Sequence, residues 1–129
     1  MKQLGLAALI YSSDNNDVLP VATNWCDALT TYAGSPAVFQ CPGDAAQLRS
    51  GYALNAAVSG MDVDDIPPDT VLFFECDSGW NASGGQELLV SQARHADVFV
   101  VCFADGAVQQ IRANRLSQLR WDPDNKTNN

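Results

Sequence analysis

Arg94-His95-Ala96-Asp97-Val98-Phe99-Val100-Val101-Cys102-Phe103-Ala104-Asp105-Gly106-Ala107-Val108-Gln109-Gln110-Ile111 reads as a β-hairpin. Its middle is an unbroken β-branched and aromatic run ending in Asp-Gly, and apolar residues resume at Val108 and Ile111. That pattern predicts a two-residue type I′ turn at Asp105-Gly106. With such a turn Phe103 faces Val108 and Val100 faces Ile111. Both sides of the ribbon then carry apolar groups, at least one side must be covered, and the hairpin is expected at the centre of a sheet.

Other segments supply partners for it. Val71-Leu72-Phe73-Phe74-Glu75-Cys76 is a strand by composition, bounded by Pro67-Pro68 before and Asp77-Ser78-Gly79 after. Gly51-Tyr52-Ala53-Leu54-Asn55 predicts a short edge strand, and Gln86 to Ala93 reads equally as a helical turn or a strand. Met1 to Tyr11 is helical: Leu4, Ala7, Ala8 and Tyr11 form one face, Leu6, Leu9 and Ile10 continue it round the cylinder, and no short polar residue caps its start. Ser12 to Asp17 ends that helix, because short polar side chains compete for its backbone hydrogen bonds. Asn24 is placed to cap a second helix that carries Trp25, Leu29 and Tyr32 on one side and stops at Gly34. Phe39 to Asp44 is a turn, Trp80 to Gly85 a loop, and Asn114 can cap a last short helix with Leu116 and Leu119 before Trp121 docks. The fold class is therefore α+β: an N-terminal helix packed on an antiparallel sheet of three to four strands, with short flanking helices.

The chain has 129 residues, 47% of them apolar, which suits one domain over residues 1–129 burying roughly two-thirds of its unfolded surface. Seven basic against fifteen acidic residues give a net charge of −8, which repels phosphate backbones and anionic headgroups and disfavours nucleic acid as a partner. No run approaches the ~18 apolar residues of a membrane span, and no secretory signal opens the chain.

His95, nine residues and then Asp105-Gly106 resembles the His-x9-Asp-Gly signature of the prepilin-type processing-associated proteins, pseudopilin-like proteins related to type II secretion pseudopilins and type IV pilins. Three further segments share the likeness in order: Lys2 to Ala7 running on to Tyr11, Asp14-Asn15 and Leu19-Pro20; Phe39-Gln40-Cys41-Pro42 followed by Tyr52 to Asn55; and Leu116 to Pro123. The resemblance implies a pilin-like head whose first helix continues upstream into a hydrophobic anchor. It also implies a non-enzymatic structural subunit on the periplasmic or cell-surface face of a bacterial membrane, with other pseudopilin or pilin subunits as partners through that helix. On this reading residues 1–129 are the soluble head and contact the membrane only through the anchor; the other reading is a complete small protein whose first helix is uncapped.

Cysteines 26, 41, 76 and 102 form no Cys-x-x-Cys pair, and a lone histidine accompanies them, which disfavours structural zinc. Cys26 and Cys41 are spaced to close a disulfide loop worth roughly 3 kcal/mol, whereas Cys76 and Cys102 lie in apolar strands as buried thiols. Asp62, Asp64, Asp65 and Asp69 lie in a segment without basic residues between Arg49 and Arg94 and offer the hard oxygens that calcium takes, the one cofactor the sequence admits. Pro67-Pro68 and the absence of an EF-hand Gly and distal Glu favour a solvated acidic loop instead.

Two other functions compete with the structural one. A thiol hydrolase would need a cysteine with His95 as base and an Asp as orienter. If residues 96–104 form one strand rising about 3.3 Å per residue, His95 and Asp105 stand roughly 30 Å apart, so the signature marks two ends of a strand and not a dyad. A glycan- or calcium-binding module could be built from Trp80, Asn81 and the acidic loop, although Trp80 serves equally as a plug holding a Gly-rich loop on the sheet.

Overall fold

The computed structural model describes residues 1–41, 49–89 and 98–123. Helix α1 (Lys2–Asp14) and helix α2 (Trp25–Ala33) lie against a sheet built from β1 (Tyr52–Asn55), β2 (Val71–Glu75), β3 (Ser83–Gly84), β4 (Val98–Phe103) and β5 (Val108–Arg112). The strand order is β3-β1-β2-β4-β5; β1–β2, β2–β4 and β4–β5 are antiparallel, and β3 joins β1 in parallel. The α+β architecture with an N-terminal helix is as expected, but among the described residues the sheet is mixed and has five strands.

The hairpin forms with a different register. Cys102 pairs with Val108 and Phe99 with Ile111, one residue off the predicted alignment. The reason lies in the loop. Gly106 N–H donates to Phe103 O at 2.8 Å, Phe103 N–H to Ala107 O at 2.8 Å, and Gly106 alone in the loop has positive φ, +88°. These are the marks of a three-residue loop in which Gly takes the left-handed third position. Asp105 Oδ1 accepts from Ala107 N–H at 2.9 Å and holds that geometry, while Ala104 leaves the ladder to donate to Thr70 O at 2.8 Å. A one-residue slip exchanges faces: Val101, Phe103 and Ile111 point to one side of the sheet and Cys102 with Val108 to the other.

The centre of the sheet is β2 and not the hairpin, whose outer strand β5 is an edge. All five β2 residues are buried. A register shift between Val71 and Phe73 sends Leu72 and Phe73 to the helix side, where they meet Leu4, Ala8, Trp25, Leu29 and Phe39. Val71 and Phe74 face a second core with Val101, Phe103 and Ile111, covered by Leu116, Leu119 and Trp121. At about 1.5–3 kcal/mol for each large apolar side chain buried, these two layers are the main stabilising term. Strand β1 is likewise interior: the two residues of β3, too short and Gly-rich to announce a strand, cover its outer side.

The predicted ends of the helices hold in part. Asn16 and Asp17, at φ +60° and +65°, turn the chain after α1, and Gly34 at +81° ends α2. Asn24 precedes α2 but makes no side-chain capping bond, and the C-terminal segment Ala113–Gln118 is a 3-10 turn that Asn114 does not cap. Trp121 does dock, edge-on to Phe74 with ring centroids 5.0 Å apart.

Candidate functional site

Helix α1 rests on the sheet along one stripe. Leu4, Ala7 and Ala8 are buried, and Gly5 lies so near β4 that a Cβ there would stand 2.6 Å from Cys102 Sγ. Tyr11 meets Tyr32 edge-on at 5.6 Å and fastens α1 to α2. The opposite side is apolar and open: Leu6 is 56% and Ile10 44% exposed. Leu6 lines two shallow grooves, one running to Leu9 and Gly106 and the other to Ile10, Tyr32 and Val38. Single exposed leucines are ordinary, but two a turn apart on a helix make a continuous ridge that another apolar surface can cover.

A second cluster gathers at the start of α2. Its cap comes from Asn81, whose Oδ1 accepts from Cys26 N–H at 2.8 Å and Asp27 N–H at 3.4 Å. Asp27, in the first turn, answers by accepting from Asn81 Nδ2 at 2.7 Å and from Trp80 Nε1 at 2.9 Å. Asn81 holds a left-handed conformation, φ +60°, and Trp25 Nε1 donates to Ala82 O at 2.7 Å. The loop is thus pinned to the helix by reciprocal bonds of the kind a capping box makes within one helix. Nothing local in the sequence announces this, because the partner lies over fifty residues away; only the Asn-Ala-Ser-Gly-Gly composition marks a loop able to adopt such a turn.

The bonds from Asn81 and then Trp80 hold the Asp27 carboxyl below its ordinary value of 3.8. A carboxylate lowered on folding contributes stability that is complete above 3.8 and is lost as the pH falls through the lower folded value. The stability difference between the native protein and Asp27→Asn should therefore shrink in acid denaturation series below that point. A difference constant from neutral pH into acid would show that the bonds favour neither protonation state.

Those predicted site residues that are described do not form one cluster. Asp105 and Gly106 form the hairpin loop, and His95 lies outside the described residues. No disulfide joins Cys26 to Cys41; all four cysteines are buried thiols. Cys26 Sγ accepts from Asn81 N–H at 3.2 Å, whereas Cys41 donates to Glu75 Oε2 at 3.4 Å, so the packing engages the two sulfurs with different partners. Burial pushes the Cys26 thiol up to about 11 and the Cys102 thiol up to about 12, away from the thiolate that a nucleophile needs. Nor do the four aspartates converge. Asp62 Oδ1 accepts from Asp64 N–H at 2.9 Å within its own turn, Asp69 pairs with Arg120 Nε at 2.9 Å, and no group of three or more potential metal ligands occurs among the described residues. Trp80 is the plug: its ring packs on Phe39 at 4.8 Å, and the Arg49 guanidinium lies 3.7 Å over its centre, on a face that a sugar would need.

Glu75 ends the apolar run of β2. It is buried, and its Oε1 accepts from Val100 N–H at 2.6 Å. The carboxylate thus continues the β2–β4 pairing with a side chain and ties Cys41 to the same point.

In comparisons with known proteins no family model matches the chain, and no curated protein or solved structure is significantly similar to it.

Proposed function

We propose that this chain is the head of a structural subunit, pseudopilin- or minor pilin-like, that works without catalysis in a type II secretion or type IV pilus-like assembly outside the cytoplasm. The observation that supports the reading is the α1 ridge. One stripe of the helix is sealed on the sheet while Leu6 and Ile10 stand in solvent on the other. A subunit that packs helix against helix uses such a division of faces: the buried stripe fixes the helix to its head, and the open stripe meets the helices of neighbours. The ordered likeness at Lys2 to Pro20, Phe39 to Asn55, His95 to Gly106 and Leu116 to Pro123 supports the same reading.

The test exploits the buried native thiols. Ile10→Cys adds one accessible sulfur on the ridge, and oxidative cross-linking in cells that carry the full assembly should join this chain to a second copy or to another subunit. Leu6→Gln with Ile10→Gln should abolish assembly while leaving the unfolding free energy within about 0.5 kcal/mol of native, because both side chains are on the surface. Wild-type assembly in the double variant, with no cross-link at position 10, would overturn the proposal.

A further inference from the structure

We propose that the pocket between α2, the turn Pro36–Phe39 and Trp80 binds a small carboxylic acid with an aromatic or branched apolar body. The pocket holds about 280 Å³ and is walled by Pro36, Phe39 and Trp80, with Gly34 at its mouth, where a Cβ would find nothing within 4 Å, and Arg49 and Gln40 at its polar side. The space suits a ligand of one ring with a short acid side arm.

Arg49 determines which ligands fit. Its guanidinium carbon stands 3.7 Å over the centre of the Trp80 ring, near enough to the Asp27 carboxylate to help lower it, and no hydrogen bond of its own is seen among the described residues. Stacking uses the face of a guanidinium and leaves its edge, with parallel N–H donors, for a carboxylate to bind at two points. Trp80 is itself fixed through Nε1 to Asp27 and through its ring to Phe39, so the cation is presented on a rigid plate and loses little freedom on binding. The apolar walls alone would accept any ring. The charge selects among them: the net −8 of the chain opposes anions in general, so an acid gains only when its carboxylate meets Arg49 and its body fills the pocket. Neutral sugars gain no charge term. This inference is separate from the proposed assembly, because the lining residues named all belong to this chain.

The experiment titrates phenylacetate and indole-3-acetate, and separately the matching amides, into the isotope-labelled chain while following the Trp80 indole N–H resonance, assigned with Trp80→Phe. The acids should give a saturable shift at least about tenfold tighter than the amides, the discrimination expected of a charge-assisted pair. Arg49→Gln should erase that difference with the spectrum otherwise intact. A peptide ending in phenylalanine, with a free or an amidated terminus, distinguishes sources: binding of the free-terminus peptide assigns the pocket to chain ends, and its failure beside binding of the small acids assigns it to metabolite-sized acids. Equal binding of acid and amide by the native chain, or no saturable shift at millimolar concentration, overturns the proposal without recourse to a variant.

Discussion

Trp25→Ala should remove about 3–5 kcal/mol of stability, the range for emptying a large aromatic site in a core that cannot collapse to fill it. Trp25 is fully buried, with the Phe73 ring 5.0 Å and the Phe39 ring 6.1 Å from its own. Its loss takes away the ring packed on Phe73 and leaves Phe39 with Trp80, 4.8 Å away. The substitution also removes the indole N–H that donates to Ala82 O at 2.7 Å, a bond worth roughly 0.5–1.5 kcal/mol, and leaves that oxygen the Leu54 N–H at 3.0 Å. Domains of this size are stable by only about 5–15 kcal/mol in total, so the variant should be partly unfolded near body temperature. Urea titration measures it: the midpoint should fall sharply with little change in slope. Trp25→Phe, which keeps most of the packing and loses the bond, should fall between. A loss under about 1 kcal/mol for the alanine variant would mean that the aromatic cluster is not the centre of the helix-side core.

The second large effect is expected at Gly5. A Cβ there would lie 2.6 Å from Cys102 Sγ, with the Gly106 carbonyl oxygen 3.7 Å away, so Gly5→Val must lift α1 from β4 or push the hairpin loop aside. Overpacking of this kind costs about 1–3 kcal/mol, and the few tenths gained by removing Gly from a helix interior do not offset it. Removing the obstructing sulfur tests the cause. Gly5→Val with Cys102→Ala should recover a good part of the loss, giving a coupling energy of about 1 kcal/mol in the double-mutant cycle. Strict additivity would place the strain elsewhere.

What the sequence disclosed follows from the range of the interactions involved. Strand β2 and the hairpin were legible because their signals are local: an unbroken apolar run, and Asp-Gly between two such runs. Their alignment was not, because two-residue and three-residue loops share that dipeptide, and the choice rests on Asp105 Oδ1 bonding Ala107 N–H. The exposed ridge of α1 was legible from geometry, since a helix apolar on every side can rest only one stripe on a sheet. The Asn81 cap was hidden because it bridges separate parts of the chain, and the same loop supplies the N–H that the Cys26 sulfur accepts. The Arg49–Trp80 stack was invisible for the same reason.

The last described residues close the sheet. Val71 N–H, at the start of the central strand, donates to Arg120 O at 2.8 Å, and Asn55 Nδ2 donates to both Val71 O at 2.8 Å and Trp121 O at 2.7 Å. During synthesis these bonds wait until residue 121 has left the ribosome, although Asn55 of β1 emerged 66 residues earlier. Until then Phe74 has no Trp121 against it, and the nascent chain presents an uncovered apolar sheet face to its surroundings. Chaperone capture of the growing chain should therefore persist until its final turn appears, and a ribosome stalled just before Leu119 should hold a chain that proteases cut as if unfolded.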